Sequence, residues 1–557
     1  MSMRVDRRHF LGVAGATAAV GVLGAASAGP AEAAGESAAD AATSVSGSGG
    51  RRRALGRRIR NQARDRAYGR PFPAQELSGE EVAPYLLSHT KGLPHDDDAV
   101  VDRAAYEQFV RAFAEKRPQD LAAVPRGRPD ARPHLNPQVA FSLDVQGPDS
   151  HGLTVPAPPR FDGAEGATEL IELYWMPLVR DVPFAAFETD PTVAAAAAEL
   201  SGLAAFAGPR EGGDVVPQTL FRGIESDATV GPYVSQFLYY DLLFGTQPII
   251  QRHDTVRPGL DFITTWEDLV EITRGQPRGF APGERDFATT RYLQTPRDLS
   301  HYVHFDESYQ AYLGAAIYLI DLAVPPAEKL DAGNPYLRTP NQVGFASFGN
   351  PHILTLLAEV DTRALKANLF QQWAVHRRVR PELVGARVHT QLERSPGRYD
   401  GLLHPDLLES EAVDRTRSSF GTYLLPQAFP EGSPTSPDYV AGHACVAGAC
   451  TTILKAFYNE DLVLPEVVVP NSEGTALVPY TGPDRDRLTL GGELNKLAGN
   501  LSYGRALGGV HYRSAAREGL RLGEQVAIGV LRDQRPTYPE LDQSFSFTSF
   551  DGERITI

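Results

Sequence analysis

The C-terminal third of the chain carries three basic, histidine-bearing segments, and their residue types suit the binding of an oxyanion. They are 376–381 (HRRVRP), 441–444 (AGHA) and 505–513 (Arg-x5-His-Tyr-Arg). Arg380 and Arg505 can donate bidentate hydrogen bonds to tetrahedral oxygens, and Gly442 at a predicted helix start exposes backbone N–H groups. His443 and His511 can ligate a metal or transfer a proton. The segments together predict one oxyanion pocket.

Helices are the elements that must position these segments. Apolar residues recur with helical period over 351–380, 444–457 and 515–531, whereas strands are indicated only at 462–469 and in the tail 545–557. The chain has no internal repeat, no Gly-x-Gly-x-x-Gly pattern and no P-loop. The predicted fold class is therefore mainly α, with few short strands.

Composition limits the classes of function. With 557 residues, 42% of them apolar, the chain can bury a large core, and its formal charge of −15 argues against nucleic acid as a partner. Its only two cysteines, Cys445 and Cys450, are five residues apart on a predicted helix, where they cannot easily be bridged. We therefore expect buried thiols and no cysteine metal site.

The N-terminal 74 residues divide into three segments. Residues 1–34 resemble a twin-arginine signal peptide, because Arg7-Arg8 precedes a short apolar run, and they predict export to the extracellular space or cell envelope. Residues 35–50 are an Ala/Ser/Gly linker, and 51–74 form an arginine-rich arm, read as a solvated or partner-facing helix. The body is 75–557, and no stretch in it is long and apolar enough to span a membrane.

The order Arg-Pro, Gly-His and Arg-x5-His resembles the vanadium-dependent haloperoxidases and the related acid phosphatases, including the type 2 phosphatidic acid phosphatases. Further segments resemble the bacterial and algal branch of the haloperoxidases: 231–237 (GPYVSQF), 258–262 (PGLDF), 297–312 and 349–352 (GNPH). The resemblance implies two four-helix bundles around a central oxyanion pocket, and assembly as a homodimer.

The same resemblance implies roles for individual residues. The metal ligand would be His511 and the acid/base histidine His443. The oxyanion donors would be Arg380, Arg505 and the backbone N–H of Gly442. The implied cofactor is vanadate, and phosphate could occupy the same pocket.

Three positions depart from the family's pattern. Gln372 stands where the family has a lysine, Ala441 where it has a serine, and Ser436 where algal relatives have a second histidine. Gln372 can still bind an oxyanion through its amide but adds no charge. The two lost contacts, one of them charge-assisted and worth about 1.5–3 kcal/mol, predict vanadate binding weakened by one or more orders of magnitude.

Three functions remain open. The first is peroxide- and halide-dependent halogenation of an electron-rich small metabolite, aromatic or meroterpenoid. The second is a vanadium-independent rearrangement (isomerisation) of an α-hydroxyketone on a prenylated naphthoquinone, a reaction that some relatives catalyse in secondary metabolism. The third is acid phosphatase chemistry. A pocket that keeps two arginines and two histidines argues against a non-catalytic binding protein.

Overall fold

The computed structural model describes Gly56 and residues 73–557, except Lys116 and Val145. The predicted signal peptide (1–34), the linker (35–50) and most of the arginine-rich arm (51–74) lie outside the described residues and stay predictions. Within the described part, the polypeptide is mainly helical, as the sequence predicts.

The α-helices of the described residues are labelled α1 to α15 in chain order. They are α1 (Arg103–Ala114), α2 (Pro118–Leu121), α3 (Ala164–Val179), α4 (Pro191–Gly202), α5 (Trp266–Thr273), α6 (Pro296–Phe305), α7 (Gln310–Asp321), α8 (Pro326–Lys329), α9 (Asn350–Phe370), α10 (Pro381–His389), α11 (Pro405–Leu408), α12 (Glu411–Phe420), α13 (Gly442–Phe457), α14 (Leu490–Leu507) and α15 (Arg513–Gln534). The predicted helices 444–457 and 515–531 correspond to α13 and α15.

The strands of the described residues form two-stranded antiparallel pairs. The pairs are β1 (Leu242–Phe244) with β2 (Gln247–Ile249), β3 (His253–Val256) with β4 (Arg285–Arg291), β5 (Val468–Pro470) with β6 (Leu477–Pro479), and β7 (Ser546–Thr548) with β8 (Arg554–Thr556). The tail 545–557 is thus a hairpin rather than one strand. The strand predicted at 462–469 begins only at Val468.

Helix α13 is the centre of the C-terminal core, where it packs against α9, α14 and α15. Two glycines allow α13 and α15 to approach closely. A Cβ at Gly448 would lie 2.0 Å from the Leu520 carbonyl oxygen, and one at Gly523 would lie 1.9 Å from that of Cys445. No larger residue fits at either position without moving a helix.

A second group of helices surrounds α3, which packs against α4, α11, α12 and α14. The buried residues of α3 include Leu170, Ile171, Tyr174 and Trp175. Because α14 contacts both α3 and α13, it joins the two groups. These two groups of packed helices agree with the mainly helical fold that the sequence predicts.

The predicted helix 351–380 is wrong at its C-terminal end. Helix α9 stops at Phe370, and a π-helical turn follows at Gln371–His376. Arg377 then adopts a left-handed conformation with φ 44°, and Arg380 is extended because Pro381 follows it. Arg380 is therefore the N-cap of α10 and does not share a helix with Gln372.

The expectation for the cysteines is confirmed. Cys445 and Cys450 are free thiols and fully buried in α13, where they act as small core residues. Among the described residues, no helix is both long and apolar enough to cross a membrane.

Candidate active site

The ends of several helices bring the predicted site residues together. Arg380 caps the N-terminus of α10, and Gly442 is the first residue of α13. Arg505 lies in the last turn of α14, and His511 lies in the short connection between α14 and α15. The charges of Arg380, Arg505 and His443 all act on the His511 ring, so segments far apart in sequence form one electrostatic unit.

Protein groups contact both nitrogens of the His511 ring. Nδ1 lies 2.7 Å from Oδ1 of Asp438. Nη1 of Arg380 lies 3.0 Å from Nε2 and 3.2 Å from Nδ1, so the guanidinium packs over the ring rather than on one nitrogen. Burial, together with the charges of Arg380 and Arg505, holds the pKa of His511 well below its usual value.

The guanidinium of Arg380 is occupied by acceptors of the protein. Nε donates to the Ser436 carbonyl at 2.7 Å, and Nη2 donates to the Ser436 hydroxyl at 3.0 Å. Nη1 donates to the Val510 carbonyl at 2.9 Å and also contacts His511. Arg380 is buried, so this network leaves its side chain little freedom to turn toward a ligand.

Asp438 places a carboxylate inside this cationic group. Its side chain is fully buried, and Oδ1 lies 3.5 Å from Nη1 of Arg380. Burial raises the pKa of Asp438 to about 7, against the opposing effects of Arg380 and Arg378. Near neutral pH, a substantial share of the molecules therefore carry this negative charge next to His511.

His443 faces solvent more than His511 does. Its side chain is 31% exposed, and its Nε2 lies 3.1 Å from Oδ1 of Asp306, whose side chain is only 3% exposed. An ionised carboxylate accepts the Nε2 proton, so Nδ1 keeps a lone pair. Nδ1 has no hydrogen bond to any other described residue. The pair thus presents an oriented base to the pocket.

The first turn of α13 keeps its anion-binding N–H groups but has lost side-chain donors. Ala441, the N-cap, has no hydroxyl, and no side chain caps the helix. The amide of Gln372 donates to the Val440 carbonyl at 2.7 Å, which Asn368 also contacts at 2.5 Å. The carbonyl oxygen Oε1 of Gln372 is buried and has no hydrogen-bond partner in the part of the chain that the structure describes. Only the N–H groups of the turn starting at Gly442 remain as donors.

Arg505 is only partly engaged. Its Nη1 lies 3.2 Å from Nδ1 of His304, and its guanidinium lies 5.5 Å from the ring centre of Phe429. Its Nε is buried and has no hydrogen-bond partner among the described residues. Burial and the nearby Arg380 lower the pKa of Arg505 to about 10, so it stays cationic at neutral pH.

Sequence reasoning missed Asp306 and Asp438, and missed the role of Ser436 in holding Arg380. Asp438 and Ser436 lie in the segment just before the Gly-His pair, so the acid at 438 was a visible signal. Asp306 gave no such signal, because it lies 137 residues from His443 in sequence. It directly follows α6 as its C-cap.

Comparison with known proteins supports the family resemblance. A family model described as the VCPO second helical-bundle domain matches residues 409–536, which include α12 to α15. The vanadium-dependent bromoperoxidase of Corallina officinalis is 34% identical over 556 residues, covering 85% of this chain and 91% of the relative. That of Ascophyllum nodosum is 32% identical over 489 residues, covering 84% and 86%.

A solved structure agrees with these relatives. The second vanadate-dependent bromoperoxidase of Ascophyllum nodosum matches with a TM-score of 0.84 and 27% identity, covering 92% of this chain and 91% of that one. That protein is described as homohexameric, which gives no support to the expected homodimer. The agreement of sequence and fold over most of its length establishes that this chain belongs to the vanadium-dependent haloperoxidase family of enzymes.

Proposed function

We propose that this member of the family catalyses a proton-transfer rearrangement of an α-hydroxyketone and does so without vanadate. One observation carries the proposal: Arg380 and Asp438 contact both ring nitrogens of His511, while His443, backed by Asp306, remains accessible. The first histidine is thus packed against a guanidinium and a carboxylate, and the second is arranged as a base.

The donor set does not fit vanadate in this arrangement. The implied metal ligand, Nε2 of His511, is 3.0 Å from a guanidinium nitrogen, and Arg380 donates to Ser436 and Val510. Gln372 donates to a backbone carbonyl instead of facing the pocket. The free donors are Nε of Arg505 and the N–H groups at the start of α13. These are too few to hold a multiply charged oxyanion beside a carboxylate.

The proposed reaction needs only a base, an acid and a stabilised oxyanion. Nδ1 of His443 takes the proton of the substrate hydroxyl, and the C–O bond at that carbon becomes a carbonyl. The carbon substituent on it migrates with its electron pair to the adjacent carbonyl carbon, whose oxygen then takes up a proton. Arg505 can stabilise that oxygen through its free Nε. The product is an isomer, so no oxidant is required.

The surroundings of His443 support a flat aromatic substrate such as a hydroxylated naphthoquinone of meroterpenoid type. Phe305, which precedes Asp306, is 44% exposed. Its ring lies 6.2 Å from that of Phe280, and the neighbouring His304 stacks on Phe429 at 3.8 Å. Arg285 lies over the Phe305 ring at 3.7 Å. Because these aromatic residues lie next in sequence to Asp306, the partner of His443, we propose that a quinone ring stacks on this group.

The test is a paired assay of one enzyme preparation, either chelated or loaded with vanadate. A hydroxylated, prenylated naphthoquinone is followed by chromatography for isomerisation, and a dye is followed for peroxide-dependent bromination. We expect isomerisation in the chelated enzyme, with no requirement for halide or peroxide. Bromination that strictly follows vanadate content, without isomerisation, would refute the proposal.

Halogenation is the second candidate, and the relatives favour it, because they are named vanadium-dependent bromoperoxidases. Under this reading, Gln372→Lys should restore a charge and raise peroxide-dependent bromination. We instead expect no gain, since Gln372 is 2% exposed and faces the Val440 carbonyl. The variant is assayed for bromination with vanadate, alongside Gln371→Lys, the adjacent buried amide.

Assembly and location complete the proposal. We propose a homo-oligomer, supported by the homohexameric neighbour and by an exposed apolar surface on β1 and β2, where Leu243 is 57% and Phe244 50% exposed. Light scattering of the purified protein gives its mass.

We also propose twin-arginine export, which replacement of Arg7 and Arg8 by lysine should abolish in a secretion assay.

A further inference from the structure

The C-terminal end of α6 contacts both groups that the proposed reaction uses. Oδ1 of Asp306, the residue that follows the helix, lies 3.1 Å from Nε2 of His443. Two residues earlier, Nδ1 of His304 lies 3.2 Å from Nη1 of Arg505. The Val303 carbonyl accepts from the same guanidinium nitrogen at 3.3 Å. One helix end therefore holds the base on one side and the cation on the other.

The two partners of the His304 ring fix the position of its proton. A guanidinium only donates hydrogen bonds, so Nδ1 accepts from Arg505. Nε2 lies 3.0 Å from Oε1 of Glu431 and donates to that carboxylate. Burial lowers the pKa of His304 to about 4, against the opposing effect of the hydrogen bond to Glu431, so the ring is neutral at pH 7. The imidazole thus links a carboxylate to the guanidinium.

Neighbouring groups hold the His304–Glu431 pair in place. The His304 ring stacks on Phe429, with 3.8 Å between the ring centres and 10° between the planes. The backbone carbonyl of Glu431 accepts from Lys91 at 3.0 Å and from Arg132 at 3.2 Å. A rotation of the imidazole would therefore break its stacking and both of its hydrogen bonds, so the acceptor that it offers to the guanidinium has a fixed direction.

We propose that His304, oriented by Glu431, is the positioning residue for Arg505. Among the described residues, Nε and Nη2 of Arg505 have no hydrogen-bond partner, whereas Nη1 is held by the end of α6. Because the guanidinium is planar, holding Nη1 also sets where the two free nitrogens point. Without the imidazole, only the Val303 carbonyl would hold it. The role rests on the proposed function, in which Arg505 stabilises the oxygen that becomes charged.

Three substitutions separate the two hydrogen bonds of His304. His304→Asn places an amide oxygen near the position of Nδ1, so it can still accept from Arg505. His304→Gln carries its amide toward the position of Nε2, so it can still donate to Glu431 but no longer supports Arg505. His304→Phe keeps the stacking on Phe429 and loses both hydrogen bonds. The matched control is His404→Gln, at a histidine at the start of α11.

Two measurements are made on the full-length protein. Steady-state isomerisation gives kcat and KM, and calorimetry gives the Kd of lawsone, a hydroxynaphthoquinone whose ionised oxygen stands in for the charged oxygen of the reaction. We expect His304→Phe and His304→Gln to lower kcat at least about tenfold, with KM changed less than about threefold, and to weaken lawsone binding about tenfold. His304→Asn should restore most of both, and the control should match the wild type.

A double variant tests whether His304 acts through Arg505. In the Arg505→Met background, His304→Phe should weaken lawsone binding by less than about twofold further. Fully additive losses would overturn the inference, because the histidine would then act through the fold or on the ligand itself. Wild-type affinity in His304→Phe, or equal losses in the Asn and Gln variants, would also overturn it. If His304→Phe does not fold, the comparison of the Asn and Gln variants decides.

Failure of the proposed function gives a different result. Absence of isomerisation in the wild type and in every variant, with the expected pattern of lawsone affinities, would refute the rearrangement and support the positioning role of His304. Isomerisation by the wild type that is unchanged in the folded Phe and Gln variants would support the rearrangement and refute the positioning role.

Discussion

At the residue scale, His443 and His511 differ in what surrounds their rings. His511 is buried between an arginine and a carboxylate, whereas His443 is partly exposed and has a carboxylate on one side only. A histidine that is to take a proton from a substrate needs access and a fixed tautomer. His443 meets both requirements. His511 instead lies between the side chains of Arg380 and Asp438.

The first prediction concerns His443. His443→Gln should lower the rate of the proposed rearrangement by about 10²–10⁴-fold, the range typical of a lost general base. Asp306→Asn should lower kcat less, because the ring stays but loses its fixed tautomer. Both are measured by steady-state isomerisation assays, with His404→Gln, a surface histidine at the start of α11, as the control. Unchanged kcat in His443→Gln would remove His443 from the mechanism.

The sequence predicted the candidate site better than it predicted the contacts within it. Arg380, His443, Arg505 and His511 could be named because their spacing follows a family pattern, and the structure brings them together. Their roles stay predictions. The partner of His443 could not be foreseen, since Asp306 lies 137 residues away in sequence. The two meet because α6 packs on α14, which also packs on α13. The direction of the Gln372 side chain could not be predicted, because it depends on a local change from α-helix to π-helix.

At the element scale, the apolar periodicity of α9 predicts burial beyond Phe370 but does not predict the change from α-helix to π-helix there. The apolar pattern of α9 continues past Phe370, and Trp373 and Val375 are indeed buried. The backbone nevertheless widens into a π-helical turn and reverses at Arg377. A pattern of burial does not specify which backbone hydrogen bond is formed. Helices α13 and α15, by contrast, were predicted well, because they are long and strongly periodic.

The close packing of α13 on α15 gives the second prediction. Gly523→Ala places a Cβ 1.9 Å from the Cys445 carbonyl oxygen, so the helices must separate. We expect the free energy of unfolding to fall by about 1–3 kcal/mol. The control is Gly202→Ala at the end of α4, where an added Cβ meets nothing within 4 Å. Urea denaturation measures both, and equal stability of the two variants would contradict the packing argument.

At the scale of the whole molecule, several histidines are buried in their neutral form. Burial lowers the pKa of His95 and of His376 to about 3, and that of His253 and of His304 to about 4. Their ordinary value is 6.5. Asp438 has the opposite effect on how stability depends on pH, because its pKa is raised from 3.8 to about 7. Among the described residues, burial lowers the pKa of nine histidines and raises that of eight carboxyls. Because the ordinary pKa of histidine lies within the range from pH 7 to pH 5 and that of a carboxyl lies below it, the histidines change most over this range, so acid should destabilise the fold.

The third prediction is that the free energy of unfolding falls as the pH is lowered. A histidine whose folded pKa is depressed contributes stability above pH 6.5, and this is lost as the pH falls toward its folded value. Each contributes at most about 1.4 kcal/mol per pH unit. The free energy of unfolding should therefore fall from pH 7 toward pH 5, as measured by urea denaturation. His95→Gln should weaken this dependence, and stability that rises on acidification would contradict it.

Vanadium content tests the central claim most directly. The purified protein is incubated with excess orthovanadate, freed of unbound anion by gel filtration and analysed for metal, while the same sample is assayed for peroxide-dependent dye bromination. We predict vanadium well below one atom per chain and no bromination, because Arg380 donates to Ser436 and Val510 and Gln372 donates to the Val440 carbonyl. One retained vanadium per chain, with bromination proportional to it, would contradict the account.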